Sequence, residues 1–144
     1  MALEDFLPTL AYVLQQSVDG VQAAYTFDNL PAALNALPCF VVMPANGTQE
    51  FGGANVALYN IKAVLYHSPA NLPEAYNFSV KAVNKVRKAI ARNIKLGGLV
   101  SYVHPSPDGF FELGAINSLY GDKAYIGVIF NLVVKETGDF LIEA

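Results

Sequence analysis

The sequence predicts an α+β domain, a four- to five-stranded sheet packed by an N-terminal helix and one long central helix. Three observations predict it. Apolar residues recur at three- and four-residue steps near the N-terminus and again in the middle of the chain, the spacing that gathers side chains on one face of a helix. Two long segments alternate with period two, the spacing that gathers them on one face of a strand. The other apolar runs are short and bounded by Pro, Gly and Asn. A chain of 144 residues fits a single domain over 1–144 and can bury about 68–70% of the surface its unfolded form exposes.

The first helix follows from Leu3, Phe6, Leu7, Leu10, Val13 and Leu14. Asp5 is its expected N-cap, which places Pro8 in the first turn, and Gly20 its stop beyond Gln16–Asp19. Val21–Phe27 reads as a short strand and Asp28–Leu34 as a short helical turn. Pro38 introduces a buried strand, Cys39–Met43, that Pro44 ends. The turn formers that follow make 44–54 a long hairpin loop, whose contact candidates are Asn46, Gln49, Glu50 and Phe51. Its glycines do not make a phosphate cradle, because no Gly-Lys-Ser/Thr follows.

Asn55–His67 alternates, with Ala57, Tyr59, Ile61, Ala63 and Leu65 on the buried face. Asn71 then reads as the N-cap of the central helix, with Glu74 three residues on and Pro73 in the tolerant first turn. From Leu72 to Lys95 this helix turns Leu72, Ala75, Ala82, Val83, Val86, Ala89, Ile90 and Ile94 to the sheet. Gly97-Gly98 terminates it. Leu99–His104 is a short strand, Pro105–Gly109 a turn, Phe110–Ile116 another strand and Tyr120-Gly121-Asp122 a further turn. Lys123–Lys135 closes the sheet with Ile126, Val128, Phe130, Leu132 and Val134 inward. Its outward set, which includes Tyr125, Ile129 and Val133, is too apolar for a solvated face and marks a subunit interface.

Composition points the same way. The chain is 53% hydrophobic and 15% charged, against about 45–50% and about 25% in ordinary globular chains, so other subunits are expected to cover part of its surface. The longest apolar run, Ile126–Val134, is broken by Asn131 and is too short to span a membrane. The acidic start, Glu4-Asp5, is unlike a signal peptide. A single cysteine, Cys39, suits a reducing compartment, where the Asn-x-Ser/Thr triplets at Asn46 and Asn77 carry no meaning.

Catalytic chemistry finds little support. His67, His104 and Asp108 would approach one another only if their strands were neighbours, and they offer no ligand pair at helical spacing, so satisfied strand-end histidines are the simpler reading. No Gly-x-Ser-x-Gly elbow exists, and Cys39 lies in an apolar strand where a thiol is inert. No enzyme, cofactor or metal is expected.

Charge is concentrated in one place. Positions 81–95 hold six of the nine bases and none of the twelve acids, and Lys81, Lys85, Lys88, Arg92 and Lys95 step along one helical face. The stripe is a solvated face, a contact with an acidic neighbouring subunit, or a DNA contact. A net charge of −3 argues against coating nucleic acid with the whole surface.

In this order of elements the chain resembles the tail terminator and tail-to-head joining (neck) proteins of tailed bacteriophages. The features that carry the resemblance are the N-terminal helix, the strand Pro38-Cys39-Phe40-Val41-Val42-Met43-Pro44, the long loop and long strand, the central helix, Gly98–Val103, and Tyr120-Gly121 followed by Tyr125–Glu136. The resemblance implies a mainly antiparallel sheet, no catalysis, and a homo-oligomeric ring, commonly a hexamer. Its implied partners are the tail tube and head-completion or connector proteins. Genome DNA would pass through the ring without sequence-specific binding. The implied location is the virion tail or neck, after assembly in the host cytoplasm. An intracellular DNA-associated binding module built on the basic helix 81–95 is the alternative.

Overall fold

A computed structural model describes residues 3–31, 33–34, 36–50, 56–94, 96, 102–117 and 124–137. It has two helices and six strands in the order α1 (Leu3–Ser17), β1 (Ala23–Tyr25), β2 (Cys39–Glu50), β3 (Val56–His67), α2 (Leu72–Arg92), β4 (Tyr102–Pro105), β5 (Phe111–Asn117) and β6 (Ala124–Thr137). The strands form one mixed sheet in the order β1-β2-β3-β6-β4, with β5 also paired to β6. Among the described residues only β1 with β2 is parallel; the other pairings are antiparallel. The fold is therefore α+β, with more strands than the four or five expected.

Both helices pack on one face of the sheet. Phe6, Leu7, Leu10 and Leu14 of α1 and Ala82, Val86 and Ile90 of α2 meet Phe40, Val42, Ile61, Ala63, Leu65, Val128, Phe130, Leu132 and Val134. The register explains why one face collects them: Phe40, Leu65 and Val128 lie side by side across three strands, as do Val42, Ala63 and Phe130. Burying each large side chain contributes about 1.5–3 kcal/mol.

Local sequence chemistry sets the ends of α2. The Asn71 side chain accepts a hydrogen bond from the Glu74 backbone N–H at 3.2 Å, and Pro73 sits in the first turn, where its missing N–H breaks no bond. The helix closes earlier than expected, at Arg92, where the Asn93 N–H bonds the Ala89 and Ile90 carbonyls; Gly97-Gly98 lies outside the described residues. Its buried stripe is Ala75, Ser79, Ala82, Val86, Ala89 and Ile90. Leu72 and Ile94, expected inside, are exposed because they sit at or beyond the helix ends. Ser79 is buried because its Oγ donates to the Ala75 carbonyl at 2.8 Å.

Other expectations need correction. Asp5 lies within α1, which begins at Leu3, so Pro8 falls inside the helix; the fully buried Phe6 and Leu7 hold this early turn. Asp28–Leu34 is not a helical turn in its described residues. Thr26 and Asn29 instead close a turn in which the Thr26 N–H donates to Asn29 Oδ1 at 2.7 Å. Pro44 does not end β2, which passes it with a register irregularity between Pro44 and Asn46 and pairs with β3 as far as Glu50. The predicted 44–54 loop is thus strand through Glu50, and its 51–54 portion lies outside the described residues, as do Leu99–Ser101 and the Tyr120-Gly121-Asp122 turn.

One feature ties β4 and β5 into a single interrupted edge. The Ser106 N–H donates to the Asn131 carbonyl at 2.9 Å, and the Asn131 N–H donates to the Phe110 carbonyl at 2.7 Å. The chain leaves β6 at Asn131 and returns to it at the same residue, with Gly109 at φ +146° in the turn between.

Candidate assembly surfaces

The basic stripe lies on the side of α2 away from the sheet. Lys81, Lys88 and Arg92 are exposed and Lys85 is half-buried; Lys95 lies outside the described residues. Among the described residues none of these four forms an ion pair. Arg87 is the neighbour with a side-chain partner, donating to Asn84 Oδ1 at 3.2 Å. The N-terminal half of the same helix carries a feature that sequence reading missed. Leu72, Tyr76 and Val80, spaced by four, are 51%, 39% and 59% exposed, so the outer side of α2 carries an apolar row at helical spacing. Only the exposures reveal it, since an outward row and an inward row have the same period.

The face of the sheet opposite the helices divides in two. Toward one end it is sealed by the chain itself: Leu34 joins Cys39, Val41, Tyr66, Ile116 and Tyr125 in a second apolar cluster, with Leu37, Val64 and Ile129 packed against it. The Tyr66 and Tyr125 rings meet edge to face at 5.3 Å. The strand-interface candidates Tyr125, Ile129 and Val133 all lie on this face. Tyr125 is buried and Ile129 half-buried in the cluster that Leu34 and Leu37 help form, whereas the buried Val133 lines the cleft at the other end of the face. Cys39 sits in this cluster, and burial pushes its thiol up to about 11, which keeps it protonated and unreactive at neutral pH.

Toward the other end the same face is open. A cleft of about 420 Å³ runs between Thr48, Leu58, Asn60, Tyr102, His104 and Lys135, and a second of about 260 Å³ adjoins it at Asn46, Asn60, Lys62 and Asn131. The Lys135 ammonium stands 5.2 Å from the centre of the Tyr102 ring, a cation–π contact. Of the loop candidates, Asn46 is exposed and its amide oxygen accepts from Asn60 Nδ2. Gln49 and Glu50 belong to β2, opposite Ala57 and Val56, and Phe51 lies outside the described residues.

The histidines do not come together. His67 is opposite Ile126 and His104 opposite Val133, seven positions apart along β6, or about 23 Å. Each directs Nδ1 at the carbonyl of the next residue, His67 to Ser68 at 2.9 Å and His104 to Pro105 at 2.8 Å. A carbonyl only accepts, so Nδ1 carries the proton in both. Asp108 is exposed in the turn, and its N–H donates to Ser106 Oγ at 3.3 Å.

No protein-family model matches the chain, and no curated protein matches it in sequence. No helix among the described residues is long and apolar enough to cross a membrane.

Proposed function

We propose that the protein is a non-enzymatic structural subunit of a bacteriophage neck or tail, a tail terminator that assembles into a ring, caps the tail tube and joins it to the head. The observation that carries the proposal is the exposed surface of α2, which carries the apolar row Leu72, Tyr76 and Val80 in its N-terminal half and, on another face of its C-terminal half, bases that form no ion pair among the described residues. A helix that exposes both an apolar row and a basic row suits burial against acidic neighbouring copies better than lasting contact with water. The resemblance in element order supplies the phage assignment, and with it a six-membered ring, tail-tube and head-completion partners, location in the virion and passive passage of DNA.

Light scattering at micromolar concentration, negative-stain imaging and co-sedimentation with tail tubes test the proposal. Rings that bind tube ends are expected. A chain that stays monomeric and ignores tail tubes sinks it. Lys81, Lys88 and Arg92, exposed and in no ion pair among the described residues, also favour a second reading, a DNA-associated module in which this helix faces phosphates. Salt-dependent retention of duplex DNA by the monomer would replace the first reading with the second.

A further inference from the structure

We infer that copies of this chain join edge to edge, the free edge of β2 in one copy pairing antiparallel with the free edge of β5 in the next. This rests on the ring reading above and names the surface that builds the ring. Among the described residues the sheet has two sides that end in open backbone. On one side β1 covers β2 only from Cys39 to Val41, so among the described residues Val42–Glu50 pairs with β3 alone. On the other side β4 is capped, because the Val103 N–H donates away from β6 to the Ile94 carbonyl at 2.6 Å. β5 has no such cap among the described residues and pairs with β6 alone over Phe111–Asn117. Each free run presents backbone donors and acceptors outward, the arrangement that templates another strand; neither contains lysine, and the run in β2 is interrupted once, at Pro44 and the register irregularity beside it.

Direction selects the partner. β2, β3, β6 and the β4–β5 edge alternate in direction, so β2 and β5 run opposite ways. Copies related by rotation about an axis along the strands keep those directions. β5 of one copy then meets β2 of the next antiparallel, which repeats the pairing of the sheet's interior. The contact uses two different surfaces, and such heterologous contacts generate rings when the rotation closes. Pairing β2 with β2 would instead stop at two copies and leave β5 open.

The stagger fits closure as well. Asn46, central in the free run of β2, aligns through Asn60 with Val133, whereas Gly114, central in β5, aligns with Gly127. The offset of six residues along β6 is about 20 Å, against a width of about 19 Å for four strands. Pairing the two run centres would tilt the strands by about 46° from the ring axis, close to the 35–45° typical of closed sheets.

Cysteine cross-linking of the full chain tests the pairing. Thr48 of β2 and Glu112 and Ala115 of β5 are exposed, and the native Cys39 is buried and stays silent. With a short bismaleimide, Thr48→Cys/Glu112→Cys or Thr48→Cys/Ala115→Cys is expected to give a ladder of covalent multimers. A mixture of the corresponding single variants should give dimers joining unlike chains. Dimers formed by Thr48→Cys alone, or assembled particles from which neither double variant cross-links, overturn the inference. Light scattering and imaging separate the two readings: rings without cross-links sink edge pairing and leave the ring, ladders from open filaments sink the ring and leave edge pairing, and a monomer sinks both.

Discussion

Gly127 of β6 faces Leu65 of β3 so closely that a methyl group on Gly127 would overlap the Leu65 carbonyl oxygen. The obstacle is backbone at the centre of the sheet, so no side-chain rotation relieves it. Gly127→Ala is expected to cost about 3 kcal/mol, the upper part of the range for overpacking, read as a lower urea midpoint with an unchanged slope.

Phe130 is fully buried between Phe40 and Phe110, with ring centres at 6.4 and 5.5 Å. Phe130→Ala leaves a void beneath both helices and is expected to cost about 3–5 kcal/mol. Thermal unfolding followed by circular dichroism would check it, and a loss below about 1 kcal/mol would contradict this account of the core.

Asn71→Ala removes the acceptor for the Glu74 N–H and is expected to cost about 1 kcal/mol. Asn71→Asp keeps the acceptor and adds a negative charge at the positive end of α2, so it should hold or slightly raise stability. Equal losses in the two variants would show that the cap is not what matters there.

The thiol of Cys39, raised to about 11, gives a pH prediction. Between about 9 and about 11 the unfolded chain releases this proton and the folded chain keeps it. The unfolded state therefore binds fewer protons, and stability falls as pH rises through that window. Cys39→Ser should flatten this part of the curve. In the folded chain at pH 8, thiol reagents should react only after denaturant is added.

Lys85, Lys88 and Arg92 point away from the core, so the triple change to Gln is expected to move stability by less than about 0.5 kcal/mol per site. In a ring built with these bases between copies, the triple variant should associate more weakly, and the difference from the parent should shrink in high salt. A parent that binds duplex DNA, and a triple variant whose salt slope is smaller by about 3, would favour the nucleic-acid reading.

Where side chains act on their near neighbours, the sequence was a good guide. The Asn71 cap, Pro73 in the first turn, the alternation along β3 and the inward set of β6 all depend on residues a few positions apart. What it hid depends on distant chain. The outward face of β6 looked bare because Leu34 and Leu37, which help seal its Tyr125 end, come from before β2. Pro44 looked like a strand end because its register irregularity is possible only with β3 alongside. Ser79 is missing from the predicted buried face because its polarity is satisfied one turn back, by Ala75. The cleft at Tyr102, His104 and Lys135 joins four strands, and no local pattern announces it.

The double use of Asn131 separates length from register. Because Ser106 and Phe110 both return to one residue of β6, residues between them can be added or removed without shifting β4 or β5 by a single position. The excursion is a port at which this scaffold can acquire a longer finger, or a grafted epitope, while every strand pairing stays as it is.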